Sequence, residues 1–479
     1  MRVGTCFLAV SLFSMLPAGA ARADQPPAHA DAFPCPAGLE PQVRFWRGIF
    51  AETSIHQVVL HDALHLDKVY KVLDFRPELE DGVSPAEVDR LQRIETDLEL
   101  ERIRATLLRL HALGPNAEGL TAEERAIHDL FADDPAPDRF LAAADEKRLR
   151  GQRGLRERFG EGLRVSRRYL PEMERIFREE GLPVELTRLP LVESCFNLHA
   201  YSKVGAAGVW QFMPATGRRF LHVDNLVDER RDPIFSTRAA ARFLAEMHGS
   251  LAAWPLAITA YNHGPEGMAR AVAQLGTTDS VTIVRDYHGN AFGFASRNFY
   301  AEFLAALDVE RNYREYFGNL PVEPAPRTRE HRLDRAIGIQ QAAHMAHADR
   351  ELLASLNPSL SSLVIAGRRP IPRGVRLRLP ESGAAGFETR LAEAPAVERV
   401  ERTERKVIPV VAHRAVRSAR VRPAVLTYRV QRGQTLSHIA KRYKVSVASL
   451  RVTNRLDKAG RLRPGQTLRI PRSVRRSAA

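Results

Sequence analysis

The residues best suited to chemistry fall into four compact groups between positions 193 and 262. They are Glu193-Ser194-x-Phe196-Asn197, Ser202-x-x-Gly205-Ala206-x-Gly208, Trp210-Gln211-x-Met213-Pro214-x-Thr216-Gly217 and Ala260-Tyr261-Asn262. Glu193 is the member able to move a proton. Pro190, Leu191 and Val192 precede it and Phe196 follows. Apolar surroundings penalise a charged carboxylate and raise its pKa. A carboxylic acid kept protonated near neutral pH is a general acid, and its conjugate base can take a proton back. A glutamate at a helix end can instead simply satisfy a backbone donor; here the surrounding amides, hydroxyls and aromatic rings weigh toward chemistry. Gly205 and Gly208 would let a ligand approach the backbone closely. Trp210 and Phe212 suit core packing and a groove wall equally well.

Metal chemistry finds little support. The three cysteines are Cys6, Cys35 and Cys195, and no histidine cluster has ligand spacing around them. Cys35 and Cys195 could pair in an oxidising compartment. His61 and His65 stand four residues apart without an acidic or thiol partner, and read as surface or half-buried helix residues. No cofactor is expected.

The elements that must position these groups are mostly helical. Residues 42–150 read as helix by pattern, with Ile94, Leu98, Ile103, Leu107, Leu108 and Leu110 at helical spacing. Ser84-Pro85-Ala86-Glu87 and Thr121-Ala122-Glu123-Glu124 are helix starts. Helices continue through 151–318, including an Ala-rich one after Asp232-Pro233 and an apolar one over Leu256–Asn262. Residues 319–380 mix helix with short strands, 381–424 read as a linker, and 425–472 form a compact unit of strand, two helices and strand. The last two structured regions echo each other. Gly374-Val375-Arg376-Leu377-Arg378-Leu379-Pro380 parallels Gly465-Gln466-Thr467-Leu468-Arg469-Ile470-Pro471, and Asn357 parallels Asn454. The earlier copy carries an insertion: its Asn-to-Gly separation is 17 residues against 11.

Length and charge bound the rest. At 479 residues the chain holds several domains, and its 44% apolar and 27% charged composition is that of a globular protein. The net charge of +14 is unevenly placed. Residues 401–479 carry 21 Lys/Arg against Glu401, Glu404 and Asp457, which leaves the first 400 residues at −4. A basic tail suits an anionic polymer or surface. Arg2, the apolar run Cys6–Leu16, Pro17 and Ala21-Arg22-Ala23 read as a signal peptide over residues 1–23. That implies export to the periplasm or cell envelope and excludes nucleic acid as the tail's partner. No lipobox precedes a cysteine, so no lipid anchor is expected. Residues 24–41 look like a flexible leader, and 24–150 as a whole like a helical support.

Taken together, the four groups resemble the lytic transglycosylases of glycoside hydrolase family 23, over roughly residues 42–318. The resemblance also rests on Leu189-Pro190-Leu191-Val192-Glu193-Ser194 and Asp232-Pro233-x-x-Ser236-Thr237. It implies a mainly α fold with a lysozyme-like catalytic domain over 151–318. Glu193 would be the catalytic acid/base, and Ser202, Gln211, Met213, Tyr261 and Asn262 would contact substrate. The substrate would be peptidoglycan glycan strands, cut at the MurNAc-GlcNAc bond with a 1,6-anhydromuramic end. Two positions depart from the family: His263 replaces the Ala of Ala-Tyr-Asn-Ala-Gly, and Ala295-Ser296 stands where many relatives have Glu-Thr. Residues 427–471 resemble a LysM domain, which implies binding of GlcNAc-containing glycan, and residues 319–380 look like a degenerate LysM-like copy. Hydrolytic glycosidases use two carboxylates, and only Glu193 is embedded in the groups above. This favours a lyase over a muramidase-type hydrolase, and the presence of Glu193 with Tyr261 argues against a non-catalytic wall-binding scaffold.

Overall fold

The computed structural model describes residues 32–114, 118–321 and 324–393, and parts of 426–470 in the C-terminal module. The expected signal peptide lies outside these residues. The chain divides into a large unit that ends at Val397 and a small one after it. The mainly helical expectation is met, with one correction in the N-terminal region. Helix α1 (Glu40–Ala51) is followed by strands β1 (Gln57–Asp62) and β2 (Val69–Asp74), then the long α2 (Pro85–Leu113) and β3 (Leu149–Arg153). The strands form an antiparallel sheet in the order β2-β1-β3, with Val59 opposite both Val72 and Gln152. Val58, Val59, Leu60 and His61 form an uninterrupted buried run. A short run covered on both faces lacks the alternation that marks a strand in sequence. His61 is thus a fully buried strand residue, its Nδ1 2.8 Å from the Asp62 carbonyl. Burial lowers its pKa to about 4, so it is neutral at ordinary pH. His65 lies exposed in the β1–β2 hairpin.

The helix starts are as expected. The Ser84 hydroxyl accepts the Glu87 amide at 3.3 Å, and Thr121 with Glu124 closes a capping box. The described end of the leader is not loose: Phe33 packs 5.2 Å from the Phe303 ring, and the Tyr300 hydroxyl donates to the Pro34 carbonyl at 2.7 Å.

The main core gathers α1 with α3 (Arg156–Ser166), α4 (Leu170–Glu179), α5 (Leu189–Ser194), α6 (Pro233–Leu251), α7 (Trp254–His263) and α8 (Phe294–Arg311). Asp232 caps α6 by accepting the Ile234 and Phe235 amides, both at 2.9 Å. Buried Ala239, Ala240 and Ala241 let α6 pack closely on its neighbours.

A separate core underlies β4 (Thr328–Arg332), α9 (Ile339–Met345), α10 (Arg350–Leu356) and β5 (Arg376–Pro380), with β4 and β5 antiparallel. Helix α11 (Phe387–Glu393) buries Phe387 and Leu391 against this core, so order extends into the stretch expected to be linker. Residues 394–424 of that stretch lie outside the described residues. In the small unit, β6 (Leu426–Arg429) pairs antiparallel with β7 (Thr467–Ile470) over Val430, Leu436, Ile439, Leu450 and Leu468. Most of the two helices expected there lies outside the described residues.

The unit around β4 and β5 and the C-terminal module share one hydrogen-bond device. The Asn357 amide donates to Leu353 O and Arg378 O at 2.8 Å, and its oxygen accepts the Arg378 amide at 2.7 Å. Asn454 repeats this with Leu450 O, Arg469 O and the Arg469 amide. Each asparagine ties the second helix to the last strand. The insertion in the earlier unit has a visible use. Ser359 O accepts the Asp228 amide at 2.8 Å and the Ser361 amide donates to Leu226 O at 2.9 Å, so the lengthened loop docks on the segment that leads into α6. Buried partners left unpaired cost more than exposed ones. Asn357→Ala should therefore destabilise its unit by about 2–4 kcal/mol, and Asn454→Ala, whose bonds to strand β7 are solvent-exposed, by about 1 kcal/mol. Hydrogen exchange at the Arg378 and Arg469 amides reads both losses, and equal losses would contradict the difference in burial.

Candidate active site

Glu193 sits in the last turn of α5, which leaves the helix through Cys195 and Phe196, both in the left-handed region at φ 47° and 52°. Helix α3 makes room for this turn: a Cβ on Gly162 would stand 2.4 Å from the Cys195 carbonyl oxygen. Half-buried Arg188, just before α5, ties it to α4 through Glu174 (2.5 Å) and to α8 through Glu310 (3.4 Å). Burial works against the guanidinium charge, but the two carboxylates outweigh it and raise its pKa. Burial pushes the Glu193 carboxyl up to about 8, so it is protonated at neutral pH, as its apolar neighbours predict.

Two hydroxyl groups bolt the following loop in place, one from α5 and one from α7. Ser194 Oγ donates to Val209 O at 3.0 Å and the Tyr261 hydroxyl donates to Trp210 O at 2.8 Å. Trp210 is fully buried, stacked at 5.9 Å on Phe177, and its indole donates to Thr237 Oγ1 at 2.9 Å. Trp210 and Phe212 are therefore core residues. Tyr261 lies among Trp210, Phe212 and Phe243; burial, with the Glu193 carboxyl adding to it, keeps its phenol protonated.

Ser202 closes the loop on itself, its Oγ accepting the Ala206 amide at 2.9 Å. Gln211, at φ 48°, donates through Nε2 to Gly208 O at 2.7 Å. Met213 is 42% exposed beside exposed Tyr201 and Val204 on the same loop. The need for Gly208 is internal. At φ 76° a Cβ there would stand 1.8 Å from Arg230 O, so the close approach is to protein backbone and not to a ligand.

A cavity of about 900 Å³ opens beside Glu193, between Arg158 and Glu161 of α3 and the Asn197–His199 loop. Ser202, Gln211, Met213, Tyr261 and Asn262 are not on its wall. Tyr261 lies close enough to feel the Glu193 carboxyl, which adds to the rise in its pKa. Asn262 is exposed, and its Oδ1 accepts Ser296 Oγ at 2.9 Å. Ser296 thus keeps a polar contact at the altered Glu-Thr position. His263 turns away from the site, its ring 5.0 Å from Phe292 and flat against Gly267. Cys35 and Cys195 are both free thiols. Among the described residues no group of three or more His, Cys, Asp or Glu could hold a metal ion.

One acid escaped the sequence reading. Glu302 on α8, which packs against α5, is pushed up to about 8 by burial and by the Glu193 carboxyl. Its signal is a lone carboxyl inside the apolar run Phe299–Leu307. Glu302 is thus a second raised carboxyl beside Glu193, while Glu157 and Glu161 line the cavity itself.

Comparisons with known proteins bear on this site. Residues 174–283 match the Transglycosylase SLT domain and residues 428–471 the LysM domain. The chain carries an SLT transglycosylase domain. All six expected site residues fall inside it, and a LysM domain follows at the C-terminal end. Membrane-bound lytic murein transglycosylase D of Escherichia coli K12 is 30% identical over 301 residues, 61% of this chain and 61% of that protein. The match thus spans about three-fifths of the relative's length. Among solved structures, the 70 kDa soluble lytic transglycosylase of Escherichia coli gives a TM-score of 0.25 at 22% identity, over 32% of this chain and 25% of that one. An inactive mutant of lytic transglycosylase Slt from Pseudomonas aeruginosa gives 0.26 at 19% identity, over 47% and 38%. No helix among the described residues is long and apolar enough to cross a membrane.

The two raised carboxyls in the SLT domain region have a thermodynamic consequence. A carboxyl with a folded-state pKa of about 8 and an ordinary value of 4.5 makes the folded state hold the extra proton between those limits. Stability is then untouched below about pH 4.5, falls as pH rises toward 8, and stays low above it. Glu193→Gln and Glu302→Gln should each raise stability at pH 9 by about 1–3 kcal/mol and leave it unchanged at pH 4. Denaturant titrations at both pH values check this; equal effects at pH 4 and pH 9 would mean that neither acid is held neutral by the fold.

Proposed function

We propose that this protein is a peptidoglycan lytic transglycosylase that cleaves the MurNAc-GlcNAc β-1,4 bond and leaves a 1,6-anhydromuramic end. The observation that carries the reading is Glu193: a carboxyl held protonated at the edge of a groove, in an SLT domain, with its helix and the next loop locked together. The protonated acid gives its proton to the glycosidic oxygen. The resulting carboxylate then takes the proton of the muramoyl C6 hydroxyl as that oxygen bonds to C1, so the aglycone leaves with one proton and Glu193 is restored. Ser202, Gln211, Met213, Tyr261 and Asn262 are assigned to holding the sugars. The exposed faces of Met213 and Asn262 support direct contact, whereas the bonds of Tyr261 and Gln211 support shaping the loop. The LysM domain, taken to bind GlcNAc-containing glycan, would hold the enzyme on the wall. The signal peptide reading supports action in the periplasm or cell envelope.

Glu302 gives the muramidase reading a specific foothold, since a hydrolase needs a second carboxyl. A base or nucleophile must be ionised, however, and burial together with Glu193 keeps Glu302 protonated up to about pH 8. The other acids on the cavity wall are engaged, Glu161 by Arg164 at 2.7 Å and Glu157 by the Ile55 amide at 2.8 Å, which leaves Glu193 as the wall acid that carries a proton near neutral pH. That favours the lyase.

Glu193→Gln keeps the shape and removes the proton. Turnover of purified wall should fall by roughly 10²–10⁴-fold, and mass analysis of wild-type products should show anhydro ends. Reducing ends would convert the reading to a hydrolase, and near-normal turnover by the variant would remove Glu193 from the mechanism. Deleting residues 425–479 should weaken binding to insoluble wall far more than it slows cleavage of a short soluble glycan, because a tethered module raises local concentration without touching the scissile bond. Pull-down and turnover measured side by side decide it; equal losses would show that the two parts act as one.

A further inference from the structure

We propose that the cleft between the SLT domain and the docked βααβ unit binds the carboxylate-bearing peptide carried by muramoyl residues, with Arg231 and Arg327 as its carboxylate partners. The proposal rests on the reading of Glu193 as acting on peptidoglycan. The cleft encloses about 860 Å³ and is walled on one side by α4 and the start of α6, on the other by β4, α10 and the first residues after β5. Leu198 and His199 line both this cleft and the Glu193 cavity, so the two spaces adjoin at the loop that follows the acid. A substituent on a sugar held beside Glu193 has a direct path into it.

The charge of the wall selects the ligand. Its three acids are already paired with arginines that do not line it: Glu172 with Arg175 at 2.6 Å, Glu330 with Arg238 at 3.3 Å and Glu381 with Arg329 at 3.9 Å. Arg378, also on the wall, is engaged by Asp232 at 2.6 Å. Arg231 and Arg327 face the cleft with no carboxylate in salt-bridge range among the described residues. Arg231 belongs to the SLT domain side and Arg327 to the segment entering β4, so the two cations approach from opposite walls. Leu198, Ile234 and Leu356 supply apolar surface between them. Separated cations over an apolar floor match an extended peptide with spaced carboxylates and small side chains. An uncharged glycan would leave both arginines unanswered. Charge-assisted guanidinium–carboxylate bonds are the strong ones in such a setting, and salt screens them.

The test uses the full chain with Glu193→Gln, so that nothing is cut, and titrates the free stem peptide L-Ala-γ-D-Glu-diaminopimelate by calorimetry. Saturable binding that weakens roughly tenfold in Arg231→Ser and in Arg327→Ser, and again at high salt, is expected. Arg327 is exposed, so its substitution leaves the fold intact, and Arg327→Lys should restore part of the loss. In the active chain, the preference for peptide-bearing over peptide-stripped strands, read as the ratio of kcat/KM values, should fall by a similar factor in both serine variants. Absence of peptide binding, or binding equal in parent and variants, overturns the cleft assignment even if the wall is cut normally. Peptide binding without any glycan cleavage by the active chain would instead sink the proposed function and leave the cleft standing.

Discussion

The buried guanidinium of Arg230 is the constraint on which the site depends. It is 2% exposed, held by both oxygens of Asp228 at 2.9 and 2.7 Å, and donates through Nη1 to Gly205 O at 2.8 Å and Phe212 O at 2.9 Å. Burial opposes the charge, yet the Asp228 bonds outweigh it and raise the pKa. One cation thus pins both ends of the loop that contains Gly208, Trp210 and Gln211. The loop cannot move away from Arg230 without stranding a buried charge, a loss of several kcal/mol. It cannot move closer either, because Gly208 already touches the Arg230 carbonyl as nearly as a backbone can. Position is fixed from both sides, and Ser194 and Tyr261 only have to add direction.

The same five-residue strip serves three structures. Asp228 gives its amide to Ser359, Glu229 pairs with Arg376 at 3.0 Å, and Asp232 both caps α6 and pairs with Arg378 at 2.6 Å. Phe235 lies under the two guanidinium groups, 3.9 and 4.9 Å from its ring. The docked βααβ unit is therefore joined to the SLT domain through the residues that hold the loop and start α6. A unit attached only for binding would have no need of buried ion pairs with its neighbour, since burying charges is costly unless geometry repays it. Its lengthened loop and its two β5 arginines give it a share in positioning the groove.

What could be read from sequence follows the range of the interactions. Helix caps at Ser84, Thr121 and Asp232 are local and were visible as short patterns. The Asn357 and Asn454 devices were visible as a repeat, because both copies keep the residues that bond. The β1–β3 sheet was not, since a strand buried on both faces has no alternation to show and His61 masquerades as a surface residue beside His65. Glu193 announced itself by apolar neighbours in sequence. Glu302 has apolar neighbours too, but they sit in one helix with no chemical motif around them, and its partner Glu193 lies more than a hundred residues away in the chain. Gly208 was recognised as necessary for the wrong reason: its neighbour is Arg230, and no local pattern names that partner.

The protonation of Glu193 has a second source besides burial. It stands in the last turn of α5, where unpaired carbonyls give a helix its partial negative end. Anionic charge is disfavoured there for the same reason that it is favoured at a helix start. The left-handed turn at Cys195 and Phe196 then carries the chain away at once, so no later N–H group comes round to solvate the carboxylate. Helix end and apolar flank act with one sign. An acid that only had to cap a helix would be placed at the opposite end. This placement instead keeps a proton on the carboxyl at neutral pH, which is what a group that must first give a proton and then recover one requires.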